Sequence, residues 1–218
     1  MVSKVVDYLK SNKAVVGGNV AFFYFKHHRV VGSSERPLAS MLRAILTQLL
    51  NQDDAILGYL HQRCDPLSKS DIIQEPFLKE LARDSIALQQ RCWIILDGLD
   101  ECDEPDAHQK GVMKSIQIIQ WVLGLLLPVN LAGNASIRVL FSGQKNGHID
   151  QILSSYPSIH LDATDHHILE VQRYSEAMAM TIGKRFSLDG PQEANIATRV
   201  STTAKGMLFH YTLHNLNC

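Results

Sequence analysis

The 218-residue sequence predicts an α/β fold, in which a mainly parallel β-sheet lies between helices that cover both of its faces. Two observations support this prediction. Residues 20–25, 92–96 and 137–142 form short runs that are apolar rather than alternating, which is typical of strands buried on both faces. Segments with helical spacing of apolar residues separate these runs, and this alternation favours parallel strands joined by helical connections.

The first half of the chain is predicted to contain four helices in addition to its strands. Residues 37–50 have the strongest helical pattern, because their apolar side chains form one stripe and Pro37 suits a first turn. Residues 26–36 are predicted to be a polar connection, since Gly32-Ser33-Ser34 is typical of a turn. The other predicted helices of this half are residues 1–10, 54–63 and 76–90.

The second half begins with a long apolar helix, predicted at residues 112–127 and ended by Pro128. A brief fourth strand is predicted at residues 159–161. Two helices follow, at residues 168–186 and 191–205, before Gly206 interrupts the pattern. The first of these is predicted to be amphipathic, with its apolar face formed by Ile168, Val171, Met178 and Ile182.

Composition and charge restrict the classes of partner. A hydrophobic content of 45% and a charged content of 20% are ordinary for a globular domain. The net charge of -1 gives no electrostatic reason to expect nucleic acid or a membrane surface as a partner. The longest apolar stretch, residues 121–127, is far shorter than the ~20 residues of a membrane-spanning helix. The four cysteines have no metal-binding spacing, which favours a reducing, cytoplasmic location.

The most informative stretch is residues 92–104, CWIILDGLDECDE, where an apolar strand ends at an aspartate. Asp97 stands at the carboxyl end of this strand, where ligands of open α/β sheets bind. Asp100 and Glu101 follow within one turn. This order suits a Mg²⁺–phosphate site, in which the first acid holds the metal and a later one positions the attacking water. The alternative interpretation is a buried strand that leads into a solvated acidic loop.

The pattern hhhhDGLDE resembles the Walker B box of NACHT-type (STAND) P-loop NTPases, and most closely that of fungal proteins with a nephrocystin-3-like N-terminal domain. The order of the predicted segments is similar to that family along essentially the whole chain. The resemblance implies a three-layer P-loop NTPase-like sheet. It also implies that Asp97 is the Mg²⁺ ligand and that Asp100 and Glu101 are the catalytic acids.

The sequence departs from many NACHT proteins at Ser142-Gly143-Gln144-Lys145, directly after the third strand. Many NACHT proteins have Ser-Arg here, so that Gly143 takes the position of the arginine, whereas the fungal branch often has Ser-Gly-Gln. Ser142 or Gln144 is still expected to hydrogen-bond the nucleotide phosphate or a water, with Lys145 adding a weak charge. The alternative interpretation of Gly143-Gln144 is a plain turn after a strand.

The sequence departs from the family at the phosphate loop, because it contains no G-x-x-x-x-G-K-[ST] motif. The resemblance implies that residues 1–10 form the helix that leaves this loop. The loop and its strand are then expected upstream of Met1. That strand is expected between residues 137–142 and 159–161, so that its absence leaves the third strand as an open edge.

The expected organisation is an NTPase core at residues 1–165 and the start of a helical subdomain at 166–218, with AKGMLFHYTLHNL resembling its opening. One functional hypothesis is a piece of a NACHT-type signalling switch of fungal immunity or incompatibility. In the intact family Mg²⁺ with ATP or GTP is bound and slowly hydrolysed, and the partners are other domains of a repeat-containing parent protein or further copies. This chain alone is not expected to turn over nucleotide. The other hypothesis is a non-enzymatic remnant that acts through protein–protein contacts.

Overall fold

The computed structural model describes residues 2–26, 36–103, 113–127, 136–144, 147–160, 165–203 and 210–215. Most of the polar connection predicted at residues 26–36 lies outside this part of the chain, as do Lys145 and Gly206. No helix among the described residues is both long and apolar enough to cross a membrane.

Helices and strands alternate along the chain, as predicted. The helices are α1 (Val2–Ser11), α2 (Lys13–Val16), α3 (Pro37–Leu50), α4 (Asp54–Cys64), α5 (Lys69–Ile72), α6 (Glu75–Ala87), α7 (Lys114–Leu125), α8 (Gly147–Leu153), α9 (Asp165–Phe186) and α10 (Gly190–Thr203). The strands are β1 (Asn19–Tyr24), β2 (Arg91–Asp97), β3 (Ser136–Gly143), β4 (Ser158–His160) and β5 (His210–Asn215), and a 3₁₀ turn (Leu99–Cys102) follows β2. The bounds of α3 are those that the sequence predicted.

The five described strands form one sheet in the order β1-β2-β3-β5-β4. Strands β1, β2 and β3 are parallel to one another, which confirms the predicted parallel sheet for its first three strands. Strand β5 is antiparallel to both of its neighbours, β3 and β4. The sheet is therefore parallel on one side and antiparallel on the other.

The two faces of the parallel strands are covered unequally. On one face, which we call the helix-rich face, Ile94, Leu96 and Val139 belong to a large buried cluster with side chains of α3, α6 and α7. On the other, which we call the α1 face, Ile95 and Leu140 belong to a smaller cluster, with Val2, Val6 and Leu9 of α1 and Val20 of β1. Burial on both faces explains why the strand sequences are continuously apolar.

Helix α1 runs antiparallel to the strands, so that its first turn lies toward their carboxyl ends. At its last turn, the ammonium group of Lys10 lies 4.4 Å from the centre of the Phe22 ring, near the middle of β1. The chain that follows lies at the start of β2, where the Arg91 guanidinium donates a hydrogen bond of 2.7 Å to the Val16 carbonyl. Gly18 must be glycine here, because its φ is +83° and a Cβ would lie 2.8 Å from the Arg91 carbonyl carbon.

The outer edge of β1 is closed by two glutamine side chains of α3. The Gln48 amide accepts from the Phe22 N–H (3.1 Å) and donates to the Phe22 carbonyl (2.7 Å). The Gln52 amide makes the same pair of bonds to Val20, at 3.0 and 2.8 Å. Residues four apart on a helix thus match residues two apart on a strand, and the amides replace the hydrogen bonds of a further strand.

Three expectations about β3 and the C-terminal part differ from the structure. Residues 210–215 were expected in the opening of a helical segment, and they form β5 instead, because Tyr211-Thr212-Leu213 favours a strand and β3 offers unpaired backbone groups. For the same reason β3 is not the open edge that the sequence predicted. The predicted apolar face of α9 is also not a buried stripe, since Ile168 is 55% and Met178 39% exposed. The most buried side chains of α9 are instead the small ones of Ser175 and Ala179.

Candidate functional site

Three side chains form a row across the carboxyl ends of the parallel strands. The strand register aligns Tyr24 of β1 with Asp97 of β2, and Asp97 with Ser142 of β3. The Ser142 hydroxyl donates a hydrogen bond to Asp97 Oδ1. All three lie on the α1 face, because the residues two positions earlier in each strand pack in the α1 cluster: Phe22, Ile95 and Leu140. The structure thus brings together two of the predicted site residues, Asp97 and Ser142.

The backbone continues the sheet for one residue beyond this row. The Phe25 N–H donates to the Asp97 carbonyl at 2.8 Å, and the Gly98 N–H donates to the Ser142 carbonyl at 2.9 Å. These bonds fix Asp97 on both sides, so the direction in which its carboxylate leaves the sheet is set by the strands rather than by a loop.

Gly98 turns the chain out of the sheet in a left-handed conformation, with φ 75° and ψ 34°. A Cβ at this position would lie 3.0 Å from the Phe25 carbonyl oxygen, so a side chain would be both strained and crowded. Leu99 follows and is buried. The turn after β2 is therefore held by a glycine that permits the left-handed conformation and by the buried side chain of Leu99.

Asp100 is tied to the end of the neighbouring strand. Its Oδ1 accepts a hydrogen bond of 2.9 Å from the backbone N–H of Gln144. Burial is the largest influence on its pKa and raises it, the Gln144 bond lowers it, and the charges of Glu101 and Asp97 raise it further. The structure thus brings Asp100 and Gln144 together, through the Gln144 backbone.

Glu101 occupies the outer side of the same turn and is exposed. Its N–H donates to the Gly98 carbonyl at 2.9 Å, which closes the 3₁₀ turn. Its Oε1 lies 3.5 Å from the position that a Cβ of residue 98 would occupy, so the carboxylate lies over Gly98, next in sequence to Asp97.

Sequence reasoning missed Tyr24. Burial, followed by the charges of Asp97 and of Asp7 on α1, raises the pKa of the Tyr24 hydroxyl. The strand register places Tyr24 beside Asp97 at the same edge of the sheet. The rule that pointed to Asp97 also applies to Tyr24, because it is the last residue of β1 and its polar atom is at the tip of the side chain.

Sequence reasoning also missed a pair of residues, Asp103 and Ser115, that lies at the end of the 3₁₀ turn. Buried Asp103 accepts hydrogen bonds from the Ser115 N–H, at 3.0 Å, and from the Ser115 hydroxyl. This pair joins the end of the 3₁₀ turn to the start of α7. No sequence signal connects the two residues, which are separated by residues 104–114, and 104–112 lie outside the described part of the chain.

The donor set suits one kind of metal ion. Within the described ranges, no group of three or more His, Cys, Asp or Glu side chains could hold a metal. This excludes a closed protein cage from that part of the chain. A single carboxylate beside a hydroxyl fits Mg²⁺, which keeps several waters and is bound through one or two carboxylates together with substrate phosphates.

Comparison with known protein families gives a match over most of the chain. A family model described as "Nephrocystin 3, N-terminal" matches residues 1–142. The matched region begins with α1 and ends at Ser142, so it contains the complete row of Tyr24, Asp97 and Ser142. No curated protein and no solved structure matches the chain significantly.

Proposed function

We propose that this chain, which belongs to the nephrocystin 3 N-terminal family, is part of a NACHT-type nucleotide switch with its Mg²⁺ site at Asp97. The observation that carries the proposal is the row of Tyr24, Asp97 and Ser142 at the carboxyl edge of three parallel strands. In this proposal the ligand is ATP or GTP, and the biological setting is signalling of the fungal immunity type.

The environment of Asp97 supports its role as the metal ligand. The Ser142 hydroxyl donates to one carboxylate oxygen and orients the group, as supporting hydrogen bonds do in metal sites. When bound, Mg²⁺ neutralises charge on the nucleotide phosphates. Asp97 would hold the ion, directly or through water, and Tyr24 would border the same space.

The direction of α1 supports a phosphate site at this edge. The helix is packed against Ile95 and Leu140 through Val2, Val6 and Leu9. Its N-terminus points toward the carboxyl ends of the strands, on the face to which Asp97 belongs. The free N–H groups and the positive dipole end of a helix favour anions there.

Glu101 is the proposed acid for orienting water. Its carboxylate lies over Gly98 and is exposed, so a water at the metal site could donate a hydrogen bond to it. The proposed division of roles is that Asp97 binds the ion and Glu101 receives a proton from the attacking water. Asp100 is the second candidate for the latter role.

The phosphate-binding loop is the part of the proposed site that this sequence does not contain. A backbone cradle and a lysine normally supply several charge-assisted hydrogen bonds to the phosphates, and Asp97 cannot replace them. We therefore expect no saturable ATP or GTP binding by the 218-residue chain in calorimetry at micromolar concentration. Saturable Mg²⁺-dependent binding by this chain would show that the proposal assigns the phosphates to the wrong residues.

The decisive experiment uses a longer chain in which a phosphate loop precedes α1. There, D97N should abolish Mg²⁺-dependent nucleotide binding, whereas E101Q should keep binding and slow hydrolysis. E170Q is the matched control, because Glu170 is exposed on α9. Equal Mg²⁺-dependent binding by D97N and the E170Q control would overturn the assignment of Asp97.

A non-enzymatic role in protein–protein contact is the second candidate. It is favoured by the exposed apolar side chains of α9, among which Tyr174 is 64% and Phe186 65% exposed. The same longer chain separates the two candidates. A contact role predicts that it binds no nucleotide and that D97N has no consequence in any assay.

A further inference from the structure

The residue after Ser142 has no room for a side chain. A Cβ built on Gly143 would lie 2.5 Å from Asp100 Oδ1, which is closer than Cβ atoms in proteins approach another atom. Gly143 is not among the described glycines with positive φ, so its backbone does not itself require glycine. The requirement comes from the carboxylate of Asp100.

The same oxygen makes the hydrogen bond to the next residue. Asp100 Oδ1 accepts from the Gln144 N–H at 2.9 Å, while Asp100 belongs to the 3₁₀ turn that leaves β2. One carboxylate oxygen thus occupies the Cβ space of Gly143 and binds the backbone of Gln144. We call this arrangement the Asp100 latch.

We infer that Asp100 is a positioning residue, which latches the turn after β3 to the turn after β2, and that residue 143 is glycine because the latch fills its side-chain space. The existence of the latch does not depend on the proposed function, but the role that we give it in the Mg²⁺ site does. There, it holds Ser142 against Asp97 and thereby sets the geometry of the proposed Mg²⁺ site.

The latch has two consequences for that site. Since Asp100 Oδ1 accepts from the Gln144 N–H, Asp100 is the weaker candidate of the two acids for orienting a water. The two strand ends also cannot move independently: a displacement of the 3₁₀ turn must either carry Gln144 with it or break the bond. A ligand that shifts Asp97 or Glu101 would therefore also displace the backbone at the end of β3.

The first test is a double-mutant cycle in the thermal unfolding of the 218-residue chain, without nucleotide. G143A should lower the Tm by about 4 °C or more, because its methyl group and the Asp100 carboxylate cannot both fit. In the D100A background the same change should cost almost nothing, since the obstructing oxygen is absent. In the D100N background it should remain costly, because asparagine keeps an atom at that position.

G147A is the control for this cycle, since no atom lies within 4 Å of a Cβ at Gly147. A Tm of G143A equal to that of G147A would overturn the inference. An equal cost of G143A in the wild-type and D100A backgrounds would also overturn it, because the obstruction would then not be Asp100.

The second test follows the Gln144 backbone amide by ¹H–¹⁵N spectroscopy as the pH is lowered. The amide signal should shift as Asp100 is protonated in the wild-type chain, and the shift should persist in E101Q. In D100N, which keeps the volume of the side chain, it should be absent. Asp97 and Glu101 are the charged neighbours that act on Asp100, so an unchanged titration in D100N would assign the signal to them and reject the latch.

Neither test needs a nucleotide, so the latch and the proposed function can fail separately. A working latch in a chain whose D97N variant still binds Mg²⁺-nucleotide would retain the latch and reject the metal site. If D100A does not fold, the D100N titration and the G143A/G147A comparison still decide the inference.

Discussion

The helix-rich face and the α1 face of the sheet differ in how many buried apolar side chains pack on them. Adjacent residues of β2 show the contrast, since Ile94 packs in the large cluster and Ile95 in the small one, although both side chains are fully buried. The polar row of Tyr24, Asp97 and Ser142 lies entirely on the α1 face. The face with less packing is thus the one that presents polar groups at the carboxyl edge.

The difference shows that the two faces of one sheet can be packed unequally. The helix-rich face packs against side chains of several described helices, among them α3, α6 and α7, and these give the strands their positions. Among the described residues, the α1 face packs mainly against one helix and buries fewer apolar side chains. Ligand-binding segments are in general drawn from the less stable parts of a protein, and the site that we propose at Asp97 would follow that rule.

The largest expected effect on stability comes from a substitution at Gly18, where the chain leads from α2 into β1. G18A places a Cβ 2.8 Å from the Arg91 carbonyl carbon at a φ of +83°, so both strain and a backbone clash oppose folding. We expect a loss of about 4 kcal/mol or more in the free energy of unfolding. Urea denaturation followed by circular dichroism measures it.

The control for that experiment is G17A. Gly17 also has a positive φ, +70°, so backbone strain is common to both variants, but the nearest atom to its Cβ belongs to the flexible Arg91 side chain, at 3.0 Å, which can move. G17A should therefore cost less than G18A, because it lacks the backbone clash. Equal stability of the two variants would mean that the junction between α2 and β1 can adjust, and that the close approach to Arg91 is not essential.

The next effect compares the faces directly through I94A and I95A. Removal of a buried isoleucine side chain to alanine costs about 2–5 kcal/mol, depending on how far the surroundings collapse into the cavity. We expect I94A near the upper end, because several helices hold the cavity open, and I95A near the lower end, because α1 alone can move inward. If I95A were the more destabilising variant in chemical denaturation, the α1 face would be the better packed one.

A smaller effect concerns the closed edge of β1. The double variant Q48A/Q52A removes the partners of the Val20 and Phe22 backbone groups, and we expect a loss of about 1–3 kcal/mol because water replaces the amides only in part. The freed edge should also favour pairing between chains. Light scattering after size-exclusion chromatography should detect association of the double variant, whereas Q117A/Q120A, with two exposed glutamines of α7, should remain as the wild type.

The smallest expected effect on stability comes from the proposed metal ligand itself. D97N keeps an oxygen that can accept from the Ser142 hydroxyl, so we expect a change in the free energy of unfolding within about 0.5 kcal/mol. A loss of several kcal/mol would show that Asp97 is a structural residue. That result would weaken the contrast between a supporting face and a functional face.

A further prediction concerns how the stability of the chain depends on pH through Asp100. Its pKa is raised in the folded chain, mainly by burial, so the folded state favours the protonated carboxyl more than the unfolded state does. The resulting contribution to stability is present below the ordinary pKa of an aspartate and is lost as the pH rises through the raised value. The D100N variant should not show this part of the pH dependence in thermal melts.

The elements that the sequence predicted correctly are those whose signal is local. Helix α3 was predicted with its observed bounds because an apolar stripe and a first-turn proline occur within fourteen residues. The position of Asp97 at a strand end was predictable because the apolar run of β2 stops there. In both cases neighbouring residues carry the whole pattern, and the period of the backbone converts it into structure.

The C-terminal part was predicted less well, because its structure depends on distant residues. The inner side of α9 consists of small side chains where a second helix packs closely, and a hydrophobic pattern does not identify such a contact. Strand β5 depends on the free edge of β3, more than sixty residues earlier in the chain. Which segment pairs with the edge of β3 therefore depends on the tertiary structure and not on the local sequence.

The sequence by itself determined the parallel α/β core and the placement of Asp97 at its carboxyl edge. Only the tertiary structure decided which groups meet there: Tyr24 and Ser142 beside Asp97 through strand register, and Asp100 bound to Gln144 across forty-four positions. It also decided that Gly143 is required by a neighbour rather than by its own backbone. Hydrophobic periodicity is written in consecutive residues, whereas a hydrogen bond between two strand ends exists only once register and packing have brought them together.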